Sequence, residues 1–330
     1  MSNEEIRGSR NLFSKVDLSF AQKILNEPFH PLGSPGRPQR KPLGIFKAHL
    51  VKRLKHIPAD RIIVRQMWTD PRLKKICDIE ADEPSYGIAV LSRYRSKVGP
   101  ERLSRIVDQA VEMLVKNGRI KGEALALDST FIKVYSRRNL DNRTGYSDPE
   151  SRIGRAVKAK DLGYRLHLAV DVKSELPVAM IVVSANENEK KHSINLFSKA
   201  SEYVKPRKLL ADSQYSDANL RETALEHGTL PVIPYSRNQQ VGVRGILRVD
   251  KKFRSHGPQK FNTAYKKRTA VERVFSRLKN LAGLTQHSLR GLTKVTFHSQ
   301  LCILIMLLTA QAAVNTHKLS KSSSIRYFAN

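Results

Sequence analysis

The chain has 330 residues, and its 59 lysines and arginines outnumber 30 acids, for a formal charge of +29 and a sequence pI near 10.3. That length suggests two domains with apolar content sufficient for a real core. The charge favours a polyanionic partner, nucleic acid first and an anionic membrane surface second, because neutralising phosphates releases condensed counterions.

The N-terminal stretch MSNEEIRGSRN lacks the charged-then-apolar layout of a signal peptide. Residues 1–120 read as a helical, basic region suited to DNA. Within it, Pro28 to Gly44 is rich in Pro and Gly and reads as a loop or linker. IFKAHLVKRLKHI then reads as a helix with a basic flank. In PERLSRIVDQAVEMLVKNG, Leu103, Ile106, Val107, Ala110, Val111 and Leu114 keep helical spacing, Pro100 marks the start and Gly118 the stop.

Near residue 123 the period changes, opening a second predicted domain over 121–320, with 321–330 as a tail. EALALDSTFIKV (Glu123 to Val134) reads as a strand. LGYRLHLAVDV (Leu162 to Val172) alternates strictly, which predicts one buried face. LPVAMIVVSA (Leu176 to Ala185) reads as a strand buried on both faces. A helix over KKHSINLFSKASEYV, a strand RKLLAD, a helix DANLRETALEHG and a strand LPVIPY follow. A basic loop runs from about Ser236 to Ala264, followed by a helix containing Glu272. This order predicts a five-stranded mixed sheet with flanking helices, preceded by a helical domain, as in ribonuclease H-like α/β folds. The apolar run Leu301 to Val314, fourteen residues containing Thr309 and Gln311, is too short to span a bilayer and predicts a core helix. With only Cys77 and Cys302, a disulfide framework and a cysteine zinc site are excluded. A soluble, cytoplasmic protein associated with the nucleoid is expected.

The chemistry concentrates in YKKRTAVERVFSRLK, Tyr265 to Lys279, where Glu272 is the one acid. On a single helix at roughly 100° per residue, Tyr265, Arg268, Glu272 and Lys279 share an arc of about 60°, beside an apolar stripe of Val271, Val274, Phe275 and Leu278. Lys266, Arg273 and Arg277 project from a third side. In the predicted sheet the first and fourth strands are neighbours, so Asp128 on one and Asp212 at the end of the other stand side by side, within reach of Glu272. Three carboxylates suit a hard, oxygen-seeking cation such as Mg²⁺, and two such ions can clamp a phosphodiester. Plain structural roles are open to each acid: an Arg268–Glu272 ion pair, a backbone bond at Asp128, and a cap of the SQYSD turn by Asp212.

These features resemble the DDE transposases of bacterial and archaeal insertion sequences that carry a Y-x2-R-x3-E-x6-K signature. Tyr265, Arg268, Glu272 and Lys279 match it at all four positions, LALDST resembles the region of the first acid, and LLADSQYSD, with Tyr215, that of the second. The resemblance implies that Asp128, Asp212 and Glu272 are catalytic metal ligands for two Mg²⁺, with Mn²⁺ able to substitute. It also implies that Tyr265, Arg268 and Lys279 contact DNA phosphates, with Lys266, Lys267 and Arg273 adding to the grip. The partners implied are double-stranded DNA, both terminal inverted repeats and target, and a second protomer in the synaptic complex. Gln214 departs from the pattern, since many relatives have glycine there. The sole tryptophan, Trp68, lies in the N-terminal half rather than in an inserted segment between the second and third acids. A non-catalytic nucleic-acid-binding protein, or a nuclease without strand transfer, remain the alternatives.

Overall fold

A computed structural model describes residues 12–29, 40–136, 147–156, 160–235 and 257–329. The chain forms two compact units.

The first unit comprises Met1–Leu114, Lys133–Ser151 and Arg277–Asn330. Its N-terminal part holds α1 (Ser19–Asn26), α2 (Pro42–Leu54), α3 (Asp60–Thr69) and α4 (Pro71–Ile76). A helical run, α5 (Ile88–Lys116), follows and is interrupted at Gly99, whose φ of 65° is a conformation that glycine tolerates. Pro100 therefore opens a second helical stretch, where the sequence puts a start, and its apolar spacing is buried. Much of the linker predicted from Pro28 lies outside the described residues. The core is α10 (Leu292–Asn315), which packs on α2. At 24 residues it is longer than the apolar run suggests, and it is long and apolar enough to cross a membrane; 89 % of its most apolar window is nevertheless buried inside the protein. Two of its buried polar side chains bond internally: Thr309 Oγ1 donates to Ile305 O at 2.7 Å, and Gln300 Nε2 donates to Pro100 O at 2.9 Å. The last helix, α11, spans Ile325–Ala329.

The second unit, Val115–Ile132 and Arg152–Ser276, contains the sheet. Its strands are β1 (Ala124–Lys133), β2 (Arg152–Arg155), β3 (Lys160–Asp171), β4 (Leu176–Ser184), β5 (Lys208–Ala211) and β6 (Leu230–Val232). Their order is β2-β3-β1-β5-β6, with β4 also on β3. β3 pairs antiparallel with β2 along Lys160–Gly163 and with β4 along Tyr164–Asp171. β1, β5 and β6 run parallel. The sheet is mixed and has the ribonuclease H-like arrangement, but it has six strands rather than the expected five. The addition, β2, is only four residues long and mostly exposed, so hydrophobic periodicity gives no signal for it. Helix α6 (Glu189–Ser201) packs on β3 and β4, and α7 (Ala218–Glu226), capped by Asp217, packs on α6 and β6.

Three expectations change. β3 is buried on both faces from Leu166 onward, not on one. His167 on the second face bonds Tyr215 Oη through Nδ1 at 3.0 Å, and Asp171 Oδ1 accepts from Gly122 N at 3.2 Å, so polar residues that read as solvent-facing find partners inside. The predicted loop to Ala264 ends earlier, because Gly257–Lys266 is helix α8; its preceding basic segment, 236–256, lies outside the described residues. Finally, the helix of the signature is two helices. α8 stops at Lys266 and α9 spans Thr269–Asn280, with bonds from Lys267 N to Ala264 O and Arg268 N to Tyr265 O between them. Tyr265 is thus not on the helix that carries Glu272, and the single-helix projection does not hold for it.

Candidate active site

Register places the first two acids. Leu127 pairs in parallel with Ala211, so Asp128 and Asp212 are the next residues on adjacent strands. Asp128 stands within β1, and Asp212 lies just beyond β5, opening a short 3₁₀ turn over Ser213–Tyr215. Burial of Tyr215 and its bond to His167 anchor that turn from below. Helix α9 supplies the third acid. Val271, Val274, Phe275 and Leu278 are buried, as the apolar stripe predicts, and this sets Glu272 on the neighbouring exposed side.

Arg268 joins the acids. Its Nη1 donates to Asp128 Oδ2 at 2.9 Å and its Nη2 to Glu272 Oε1 at 2.6 Å. Its guanidinium also stands 5.8 Å from the Tyr265 ring centre. Asp128 is largely enclosed, with 18 % of its side chain exposed, whereas Glu272 is 51 % exposed and open to an approaching substrate. Burial pushes the Asp128 carboxyl up to about 6; the Ser129 N–H and Arg268 oppose this, and the charges of Asp212 and Glu272 add to it.

The plain structural contacts exist as well. Asp128 Oδ1 accepts from Ser129 N at 2.8 Å, and Asp212 Oδ1 accepts from Gln214 N at 2.9 Å. Among the described residues no group of three or more His, Cys, Asp or Glu side chains is arranged as a metal site. Arg268 brings Asp128 and Glu272 to one partner, while Asp212 is close enough to act on Asp128 by its charge. The donor set still fits a hard divalent cation: it is all carboxylate oxygen, with Asp128 enclosed and fixed by the Ser129 N–H and Glu272 open to the outside.

The basic residues are dispersed. Lys266, the last residue of α8, and Lys267 just after it are exposed. Arg273 is exposed but engaged, its Nε donating to Glu175 Oε1 at 2.6 Å. Lys279 is half-buried in the last turn of α9, where burial lowers its ammonium pKa, and it belongs to the first unit.

Sequence reading misses a polar cluster behind the acids. Glu189 Oε1 accepts from Arg165 Nη1 at 2.8 Å and from Ser129 Oγ at 3.2 Å. With its amide nitrogen turned to the carboxylate, Gln214 donates to both Glu189 oxygens, at 3.1 and 2.9 Å. Glu189 thus touches the residue after Asp128 and the second residue after Asp212. Burial raises its carboxyl pKa, against the pull of Arg165. An open cleft of about 630 Å³ borders Ser129, Arg165, Glu189 and Gln214. In sequence Glu189 looks like an ordinary first-turn acid behind the Asn188 cap, so only its tertiary partners distinguish it. Gln214, noted above as a departure, now has a defined contact.

Comparison with known proteins agrees with this architecture. The family model described as "Transposase DDE domain" matches residues 119–308, and "Transposase domain (DUF772)" matches residues 7–97. The first match spans more than half of the chain, which therefore belongs to the DDE transposase family, of insertion-sequence type. It is a DNA transposase, an enzyme that cleaves DNA and transfers strands, and the family implies use of a divalent metal. Among solved structures, the fold is similar to that of a piggyBac transposase in a synaptic complex with hairpin DNA, with a TM-score of 0.51 and 11 % identity over 99 % of this chain and 79 % of that one. A pre-cleavage Mos1 transpososome also matches, with a TM-score of 0.22 and 11 % identity over 86 % of this chain and 99 % of that one.

Proposed function

We propose that Asp128, Asp212 and Glu272 are the catalytic carboxylates, that they hold two Mg²⁺ with Mn²⁺ able to substitute, and that the protein cuts at element ends and transfers the freed 3′-OH into target DNA. The observation that carries this reading is the bond of Arg268 to both Asp128 and Glu272, at the strand end where register sets Asp212 beside Asp128. The ions would supply activation of the attacking hydroxyl and neutralisation at the leaving oxygen.

The side chains do the rest. Asp128, enclosed and fixed by the Ser129 N–H, gives a rigid donor; Glu272, more exposed, closes the set from the helix side. In the first step a water attacks the phosphodiester at the element boundary and gives up a proton, the P–O bond to the 3′ oxygen breaks, and that oxygen takes up a proton to become the free 3′-OH. In the second step that hydroxyl attacks a target phosphodiester in line, loses its proton, and displaces the target's own 3′ oxygen. Arg268 shifts between its carboxylate partners and a phosphate, a bidentate exchange that suits a guanidinium. Tyr265, Lys266, Lys267, Arg273 and Lys279 complete the hold on DNA phosphates. Helices within residues 1–120 recognise the terminal inverted repeat, residues 121–320 carry the chemistry, two protomers join two ends, and the work is done at the nucleoid in a prokaryotic cytoplasm.

The test is cleavage of a labelled element end with Mg²⁺ and with EDTA, followed on a denaturing gel that separates nicked from joined products. Glu272→Gln and Asp128→Asn are expected to abolish both products while still binding DNA. Wild-type cutting by either variant would refute the assignment, and nicks without joined strands would favour a nuclease.

A further inference from the structure

The first unit has a face that neither its core nor the carboxylate site explains. Helix α3 buries Ile63 and Met67 and exposes Arg61, Arg65 and Trp68. At roughly 100° per residue, offsets of 0, 4 and 7 hold those three side chains within about 60° of one another. Trp68 is 70 % exposed, more than any other large apolar side chain among the described residues, and it is the only tryptophan in the chain. An indole normally contributes by being covered.

The exposed charge beside it has one sign. Asp60, the only acid of α3, is turned inward, where it takes Lys52 Nζ and, at 2.9 Å, Arg95 Nη2. Asp70, at the junction with α4, accepts from the backbone N–H groups of Arg72 at 2.9 Å and Leu73 at 3.4 Å and so caps the next helix. The exposed charged residues of α3 and α4 are Arg61, Arg65, Arg72 and Lys75. Of these, only Arg72 has an acid nearby, Asp70 at 3.6 Å, among the described residues.

A row of cations alone would be a solvated surface. An uncovered indole within that row needs a partner that is both anionic and able to receive a flat ring. Nucleic acid meets both demands: guanidinium forks match phosphate oxygens, and aromatic side chains pack on sugars and bases. A second copy of this chain fits poorly, because it would bring the same positive stripe.

We propose that the outer face of α3, Arg61, Arg65 and Trp68 with Arg72 and Lys75 beside it, is a contact surface for double-stranded DNA. The cations take phosphates, and the indole lies against a deoxyribose or base edge. This deepens the reading of residues 1–120 as the DNA-recognition region and rests on it.

Because Trp68 is the sole tryptophan, its fluorescence reports on this face in the unaltered protein. The full-length protein is titrated with labelled mixed-sequence duplex DNA in EDTA, following duplex anisotropy, Trp68 emission and acrylamide quenching together. Emission should change with the same midpoint as anisotropy, and quenching should fall at least about twofold as the ring is covered. Trp68→Ala and the double change Arg61→Ala/Arg65→Ala should each weaken binding about tenfold, and the double change should also lower the salt slope by about 1–2. Trp68→Phe, which keeps a ring, should fall between wild type and Trp68→Ala. Binding seen by anisotropy while Trp68 stays equally quenchable, or variants that bind as wild type does, would overturn the proposal and leave DNA recognition by other residues standing. Loss of Trp68 emission with rising protein concentration in the absence of DNA would overturn it in favour of self-association. No binding to any duplex would remove the recognition reading as well.

Discussion

Each unit holds a cluster of acids and arginines, and the two clusters are built oppositely. In the first, one acid, Asp60, lies between Lys52 and Arg95, and all three are largely buried. Burial would raise the Asp60 carboxyl, yet the Lys52 ammonium and Arg95 guanidinium hold it below the ordinary range. In the second, a single arginine, Arg268, serves Asp128 and Glu272, and burial, aided by the charges of Asp212 and Glu272, pushes Asp128 up to about 6. The first cluster has cations to spare and is closed. The second has anions to spare and is half open. An acid enclosed between buried cations serves the fold; a half-open cluster with surplus anions is suited to a cationic ligand.

The largest effect should fall on chemistry. Glu272→Gln should lower end cleavage by at least about 10²–10³-fold, the scale of losing one principal electrostatic group, with the thermal midpoint in EDTA unchanged. A loss of stability matching the loss of activity would erase the contrast. Next, Asp60→Asn should destabilise the protein by about 3–5 kcal/mol, because it leaves Lys52 and Arg95 buried without their acid. In EDTA at neutral pH, Asp128→Asn should be as stable as wild type or more so, since a resisted charge is removed; chemical denaturation of both variants compares the clusters directly.

A smaller effect is expected behind the site. Glu189→Gln loses the ion pair with Arg165 and should cut activity about 10–100-fold while raising the Mg²⁺ concentration needed for half-maximal rate, as loss of a supporting partner of a metal site does. An unchanged metal requirement would make the cluster merely structural. The smallest effect is in pH. The folded Asp60 carboxyl has a lower pKa than the unfolded one, so its contribution is present above about pH 4 and lost as pH falls below that. Acid unfolding of wild type should therefore steepen below about pH 4, and Asp60→Asn should lack that component.

Much of this was legible in the sequence. β1 and β5 showed as short apolar runs ending at or passing through an acid, and their pairing followed from strand order. The α9 stripe was readable because Val271, Val274, Phe275 and Leu278 obey helical spacing. What escaped notice depends on tertiary context. β2 has too few apolar residues to show a period, and His167 and Asp171 reveal their burial only through Tyr215 and Gly122. The break between α8 and α9 falls in Lys267–Arg268, with no Gly or Pro to mark it. Glu189 is separated by 60 residues from Ser129, its partner on β1, and no local pattern joins them.

The pairing of Leu127 with Ala211 also bears on how such an element decays. In a strand, removing one residue turns every later side chain to the opposite face. A single-codon deletion within Leu125–Leu127 would leave all three carboxylates encoded while rotating Asp128 away from Asp212. A genomic copy can thus be silent with its acids intact, and a screen for surviving copies should count codons between the start of β1 and Asp128 before it inspects the acids themselves.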